Sequence, residues 1–153
     1  MLRKATFFFA LTGLPFKEMQ NLEWQHITVS VTDGIYIDMK RQKTDKPYEV
    51  NISQQAYQLL GEPKSPKEKV FDGLSNHERY ELFQLWLAKA GITKKLTFHD
   101  LRHTYGTNQI DAGTDIYTVK GNMAHTDVRY TQRYSKESKR RKMAASEAIQ
   151  LDL

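Results

Sequence analysis

A predominantly helical α+β domain carrying one small antiparallel sheet is the fold that three features of this 153-residue chain predict. Apolar residues recur at helical spacing over most of its length. The period changes to two only between residues 26 and 52. Glycines at 13, 61, 91 and 113 stop the helical segments. At 39% hydrophobic the composition is that of a globular protein, and the length suits one domain around one core.

Residues 3–12 read as a buried helix capped by Gly13. Pro15 suits the first turn of a second helix, where its missing N–H costs nothing, and Phe16, Met19 and Leu22 then face the core, with Trp24 just beyond. Strands follow at "HITV" (26–29), around Ile35, Ile37 and Met39, and around Tyr48, Val50 and Ile52. The last two are joined by the basic connection "KRQKTDKP". Ser53 caps a short helix through Ala56, Leu59 and Leu60. "GEPKSPKEK" is an exposed loop within the domain, because neither side alone buries a core. Asn76 opens an apolar helix containing Tyr80, Leu82, Phe83, Leu85, Trp86, Leu87 and Ala90, closed by Gly91. Further helices are expected over about 99–112, 115–122, 127–134 and 138–149, the last with Met143, Ala144, Ala148 and Ile149 as its apolar stripe.

No apolar run approaches the ~20 residues of a membrane helix. "MLRK" before "ATFFFAL" lacks the cleavage site of a signal peptide. The absence of cysteine excludes disulfides and thiolate metal sites and agrees with a cytoplasmic location. The net charge of +5 gathers in two places, "KRQKTDK" (Lys40, Arg41, Lys43, Lys46) and the stretch from Arg129 to Lys142, which includes Arg133, Lys136, Lys139 and Arg140. Two basic patches flanking a core suit an anionic backbone such as DNA, although solvated faces account for them about as well.

Five polar residues invite a common explanation: Lys43 in the hairpin, His99 and Arg102 one helical turn apart, His125, and Tyr134 nine residues later. A metal site built from His99, His103 and His125 is disfavoured by the adjacent Arg102 and by the missing H-E-x-x-H spacing. Phosphoryl transfer uses the same residues better. Arginine's rigid donor fork fits two phosphate oxygens, and lysine and histidine add donors for charge that builds at phosphorus. A tyrosine with cationic neighbours can attack phosphorus, and the aryl phosphodiester conserves bond energy, so rejoining needs no cofactor. His103 reads better as a core or backbone-bonding histidine than as a ligand, and Tyr105 and Tyr117 read as packing residues. Spacing does not choose between Tyr130 and Tyr134, which share a helical face.

The segment "FHDLRHTYGTNQIDAGTDIYTVKGNMAHTDVRYTQRYS" closely resembles the C-terminal motif region of the tyrosine recombinase (phage integrase) family, in particular integrases of Bacteroides-type mobile elements. Likeness continues upstream through "LTGLPFKEMQNLEW", the "KT" hairpin, "VNIS" and "KAGITKKLTFH". The resemblance implies the fold of a DNA breaking-rejoining catalytic core. It implies double-stranded DNA as partner, and site-specific recombination or integration through a 3′-phosphotyrosyl intermediate. Tyr134 would be the nucleophile and Tyr130 a non-catalytic neighbour. Arg102, His99 and His125 would hold the phosphate, and Lys43 would protonate the 5′-hydroxyl leaving group.

Two departures accompany it. "TGLPF" stands where the family has T-G-L-R, so Pro15 occupies the place of the first phosphate-binding arginine; losing such a donor costs roughly 3 kcal/mol in the transition state, about a hundredfold in rate. Ala124 replaces the usual glycine before the motif histidine. Either the chain is a degenerate recombinase, impaired or reduced to a DNA-binding or protein-interaction domain, or a neighbouring cation substitutes, Lys17 and Lys4 being near in sequence. The resemblance also implies that the N-terminal core-binding domain is absent from this chain. It further implies that the helical tail, 136–153, is exchanged between protomers in a DNA-bound tetramer.

Overall fold

Helix α1 (Leu2–Thr12) ends at Gly13, whose φ of 61° only glycine adopts freely and whose N–H bonds the carbonyl of Phe9 at 2.9 Å. A side chain could not fit there in any case, since a Cβ would lie 2.3 Å from the Tyr105 ring. Pro15 takes the cap position just before α2 (Phe16–Gln20) rather than the first turn, with extended ψ (142°) and its carbonyl accepting from Met19. Phe16, Met19 and Leu22 are buried, and Trp24 begins a single 3-10 turn (Trp24–His26). The computed structural model describes residues 1–135 together with Met143 and Ser146.

Strands β1 (Ile27–Ser30), β2 (Gly34–Lys40) and β3 (Pro47–Ile52) form an antiparallel sheet in the order β1-β2-β3. Register pairs Ile37 with both Ile27 and Val50, and Met39 with Tyr48, so one face carries the buried Ile37, Met39, Tyr48, Val50 and Ile52. The connection 41–46 is closed by the Arg41 N–H on the Lys46 carbonyl at 2.9 Å. After α3 (Gln54–Gln58), capped by the Ser53 hydroxyl at 3.1 Å, the proline-rich loop runs back beside residues 22–25.

The helix opens at Asn76 as expected, after Ser75, which exchanges hydrogen bonds with Glu78. It is then interrupted by a π turn, Glu78–Leu82, before α4 (Phe83–Lys89). Tyr80 and Leu85 are exposed, while Phe83 and Leu87 supply the core contacts.

Helix α5 (Phe98–Asp111) is entered through the Thr97 N–H on the Asp100 carboxylate at 2.7 Å. Its buried residues Phe98, Arg102, Tyr105, Gly106 and Ile110 fall on one face, which places an arginine in an otherwise apolar stripe. Then come α6 (Ile116–Asn122), capped by Asp115, and α7 (Arg129–Gln132). The segment 127–134 is thus a single helical turn flanked by turns. The helix expected over 138–149 lies outside the described residues except Met143 and Ser146, both helical and exposed.

Two apolar clusters result. The larger joins α1, α2, the sheet, α3 and α4. The Phe98 ring at its edge lies 4.9 Å from Phe9, 5.3 Å from Phe83 and 5.6 Å from Phe16. The smaller holds Tyr105, Ile110, Val119, Met123 and Tyr134. Helix α5 belongs to both. Among the described residues no helix is long and apolar enough to cross a membrane.

Candidate active site

Three consecutive carbonyls at the end of α6 each accept a hydrogen bond from a different element. Asn122 accepts from the Tyr48 hydroxyl on β3, Met123 from Arg102 on α5, and Ala124 from Arg41 after β2. The last carbonyls of a helix lack intrahelical partners and carry its negative dipole end, so two guanidiniums and a phenol are a favourable complement. A second Arg102 nitrogen donates to the Gly13 carbonyl, tying α1 to α6. Arg102 is only 7% exposed, and burial holds its pKa below the arginine norm.

Arg41 is anchored from its other side by Glu18, with Nε 3.2 Å from the carboxylate. Glu18 is 2% exposed. A carboxylate so buried is costly unless paired, so this pair fixes the base of the hairpin against α2. No local pattern marks this pair, because the partners are 23 residues apart.

These contacts leave a cleft of about 370 Å³ beside the larger cluster, whose Phe9, Phe16 and Phe98 line it. Pro15, Lys43, His99, Arg102 and His125 all line it, brought from α2, the hairpin, α5 and the turn after α6. Arg41, Arg79 and Tyr130 complete the polar part of its wall. Among the residues singled out from the sequence for DNA contact, Lys40, Lys46, Arg129 and Arg133 are exposed. Arg129 is bonded to Asp127 at 2.7 Å, and Arg41 is committed to Glu18 and Ala124. Lys136, Lys139 and Arg140 lie outside the described residues.

His125 donates to or accepts from the Thr131 hydroxyl at 2.9 Å. Burial first, then Arg102 and Arg41, push its pKa down to about 4, so the ring is neutral at pH 7. His99 is also held below the ordinary imidazole value, by burial and then by Arg102 and Arg133. His103 stands edge-on to His99 at 4.5 Å and is lowered by burial and then by His99. Asp100 spends its carboxylate on the start of α5. Among the described residues no three side chains converge as a metal site would require.

The two tyrosines differ sharply. Tyr130 is 60% exposed and sits on the cleft wall. Tyr134 is 6% exposed and packs in the smaller cluster, its hydroxyl 2.7 Å from His103 Nδ1 and its ring nearly parallel to that of His125 at 6.3 Å. Burial raises its pKa, against the opposing charges of Arg133 and Arg102. The chain backs it with Gly106: a Cβ there would lie 2.8 Å from the Tyr134 ring and 3.0 Å from Met123 Sδ. His103 is therefore more than a packing residue, since it meets the phenol directly. Ala124, where a glycine was expected, has φ 49°, a left-handed conformation that costs a side-chain-bearing residue about 1 kcal/mol.

The chain matches the phage integrase family over residues 2–141. It is 38% identical over 66 residues to the tyrosine recombinase XerD of Staphylococcus saprophyticus, covering 43% of this chain and 22% of that protein. With XerD of Bifidobacterium longum it is 37% identical over 62 residues, 40% of this chain and 20% of the relative. The matched part thus spans about a fifth of these curated relatives. In fold it is similar to the XerH site-specific recombinase bound to difH substrate in a pre-cleavage complex (TM-score 0.71, 19% identity, 95% of this chain and 46% of that one). It is similar also to the catalytic domain of bacteriophage HP1 integrase (TM-score 0.68, 22% identity, 94% and 79%). With a family match over nearly its whole length and a three-stranded sheet and helices arranged as in these cores, the chain belongs to the phage integrase family of tyrosine recombinases.

Proposed function

We propose that this chain cleaves and rejoins a DNA strand by transferring a phosphodiester to Tyr134. The observation that carries this reading is the convergence of Lys43, His99, Arg102 and His125 on one cleft from three separate parts of the chain, the hairpin, α5 and the turn after α6. In the reaction the Tyr134 oxygen bonds to phosphorus, the bond to the 5′ oxygen breaks, and the phenolic proton passes to solvent water. Lys43, exposed on the hairpin turn, supplies the proton that the 5′-hydroxyl takes up. Arg102, with its position fixed by two carbonyls, and the neutral imidazoles of His99 and His125 hold the non-bridging oxygens. Return attack by a 5′-hydroxyl reverses each step, so bond energy is conserved and no cofactor is consumed.

Tyr134 occupies a resting position, with its hydroxyl on His103. It must turn toward the cleft to react, which suits a residue that follows a helix of one turn. Tyr130, already on the cleft wall, offers a second reading in which it is the nucleophile. The duplex would lie across Lys40, Lys46, Arg129 and Arg133 and continue along Lys136, Lys139 and Arg140. Recombination as part of a mobile-element integrase, self-association on DNA through the tail and a cytoplasmic, nucleoid-bound location extend the same proposal.

Denaturing gels of the protein with a randomised pool of nicked duplexes test it. A covalent adduct is expected at low yield, kept in Tyr130→Phe and lost in Tyr134→Phe. An adduct lost only in Tyr130→Phe assigns the nucleophile to Tyr130. No adduct, with binding that does not weaken as salt rises, favours a protein-interaction domain, because phosphate contacts lose affinity by a log–log slope of about 0.9 per neutralised charge.

A further inference from the structure

We propose that Arg79 is the second phosphate-binding guanidinium of this cleft, acting from the π turn on the wall that Pro15 leaves without a donor. The inference rests on the strand-transfer reading and adds a residue to it. Three guanidiniums line the cleft, and they are not equivalent. Arg41 is neutralised by the buried Glu18 and bonded to Ala124. Arg102 gives both terminal nitrogens to backbone carbonyls. Arg79 is paired with no carboxylate among the described residues: Glu78 is taken up by Ser75, and Glu81 faces His77 at 3.3 Å.

Its orientation is nonetheless defined. The guanidinium carbon lies 4.3 Å from the centre of the Phe16 ring and 4.2 Å from that of Tyr80, and one terminal nitrogen donates to the Tyr80 hydroxyl. Stacking on aromatic faces holds a guanidinium in place without neutralising it. Phe16 directly follows Pro15, so the charge is seated beside the gap. The donor set is also incomplete. Two buried side-chain donors have no hydrogen-bond partner among the described residues, Trp24 Nε1 and Arg79 Nε, and only Arg79 lines the cleft. Nε is itself closed off from the cleft, so an anionic oxygen seated there would meet the terminal nitrogens of the guanidinium. The π geometry of Glu78–Leu82 shifts the side chains of this turn relative to a regular helix, a distortion common where a residue is aimed at a site. The ligand that fits an unneutralised guanidinium sharing a cleft with Arg102 and two neutral imidazoles is a phosphodiester of a nucleic-acid strand.

Inorganic phosphate, titrated at low ionic strength and pH 7 while the His99 and His125 imidazole signals are followed by NMR, is the test. The parent protein should show saturable shifts. Arg79→Met, which keeps the side-chain stem on Phe16, should weaken phosphate at least fivefold, with thermal melting and the amide spectrum confirming the fold. Adding Pro15→Arg to Arg79→Met should restore at least half of the loss, because a guanidinium would return to the same wall. Lys64→Ala, at an exposed residue paired with Glu68 and remote from the cleft lining, should leave binding unchanged. Equal phosphate affinity in the parent and in Arg79→Met overturns the assignment of Arg79 and leaves the strand-transfer reading standing. Phosphate that shifts no imidazole of the cleft in the parent overturns both.

Discussion

The two apolar clusters that α5 joins are built to different standards. The larger is rich in phenylalanine, draws on the helices and sheet from α1 to α4, and contains rings in mutual contact around Phe98. Among the described residues the smaller has five buried members, and two of them are tyrosines carrying polar groups that must be satisfied: Tyr105 meets Asn122, and Tyr134 meets His103. The difference separates scaffold from machinery. A core of interlocking rings positions α5 and therefore Arg102. A thin cluster closed by a one-turn helix holds Tyr134 with little apolar area, so releasing it costs far less than unfolding the domain.

The strongest way to break that contrast is Phe98→Ala. Removing the ring shared by Phe9, Phe16 and Phe83 should cost about 3–5 kcal/mol in urea denaturation. A loss below 1 kcal/mol would mean that the larger cluster is not the scaffold. Next in size is Arg41→Met, which leaves Glu18 buried without its cation and should destabilise by about 3 kcal/mol. Glu18→Gln added to Arg41→Met should recover part of this, because the orphaned charge is gone; unchanged stability in the double variant would locate the damage in the lost Ala124 contact instead.

Gly106→Ala probes the thin side. Its methyl group would press on the Tyr134 ring, and overpacking of this kind costs about 1–3 kcal/mol. The effect should be local, with faster hydrogen exchange and altered Tyr134 signals while the amides of α1 and the sheet stay protected. Uniform loss of protection would show that the two clusters unfold as one.

Acid gives the smallest effect. His125 takes up a proton near pH 6.5 when unfolded and near pH 4 when folded, so between these values the unfolded chain binds more protons. Stability contributed by the neutral ring is complete above about pH 6.5 and is lost as the pH falls toward 4. The loss should be about 1 kcal/mol once solvent screening of a half-buried ring is allowed for. His99 and His103 shift in the same direction, each chiefly through burial. His125→Gln should flatten the profile in this window, and an unchanged slope would assign it to the other two imidazoles.

The sequence by itself determined the elements and their order. Helical and alternating periods located α1, the three strands and α5, because side-chain burial on a helix or strand leaves a local, repeating trace. Gly13 was legible as a stop for the same local reason. The spacing of His99 and Arg102 put both on one turn, and the likeness of "FHDLRHTYGT" and "HTDVRYTQRYS" to a known family selected the candidate residues. Local pattern failed where geometry depends on distant partners. The π turn at Glu78–Leu82 and the reduction of 127–134 to one turn have no periodic signature. Only the tertiary structure decided which cations are committed and which are open. Arg41 and Lys43 look alike in "KRQKTDK", yet one is locked to Glu18 and the other lies exposed on the cleft rim. Arg79, unmarked in the sequence, reaches the cleft because α2 brings Phe16 beneath it, and Tyr134 is buried because Gly106 and His103 make room and a partner for it. A hydrogen bond or an ion pair between residues tens of positions apart is set by where the folded backbone places them, and no local spacing encodes that distance.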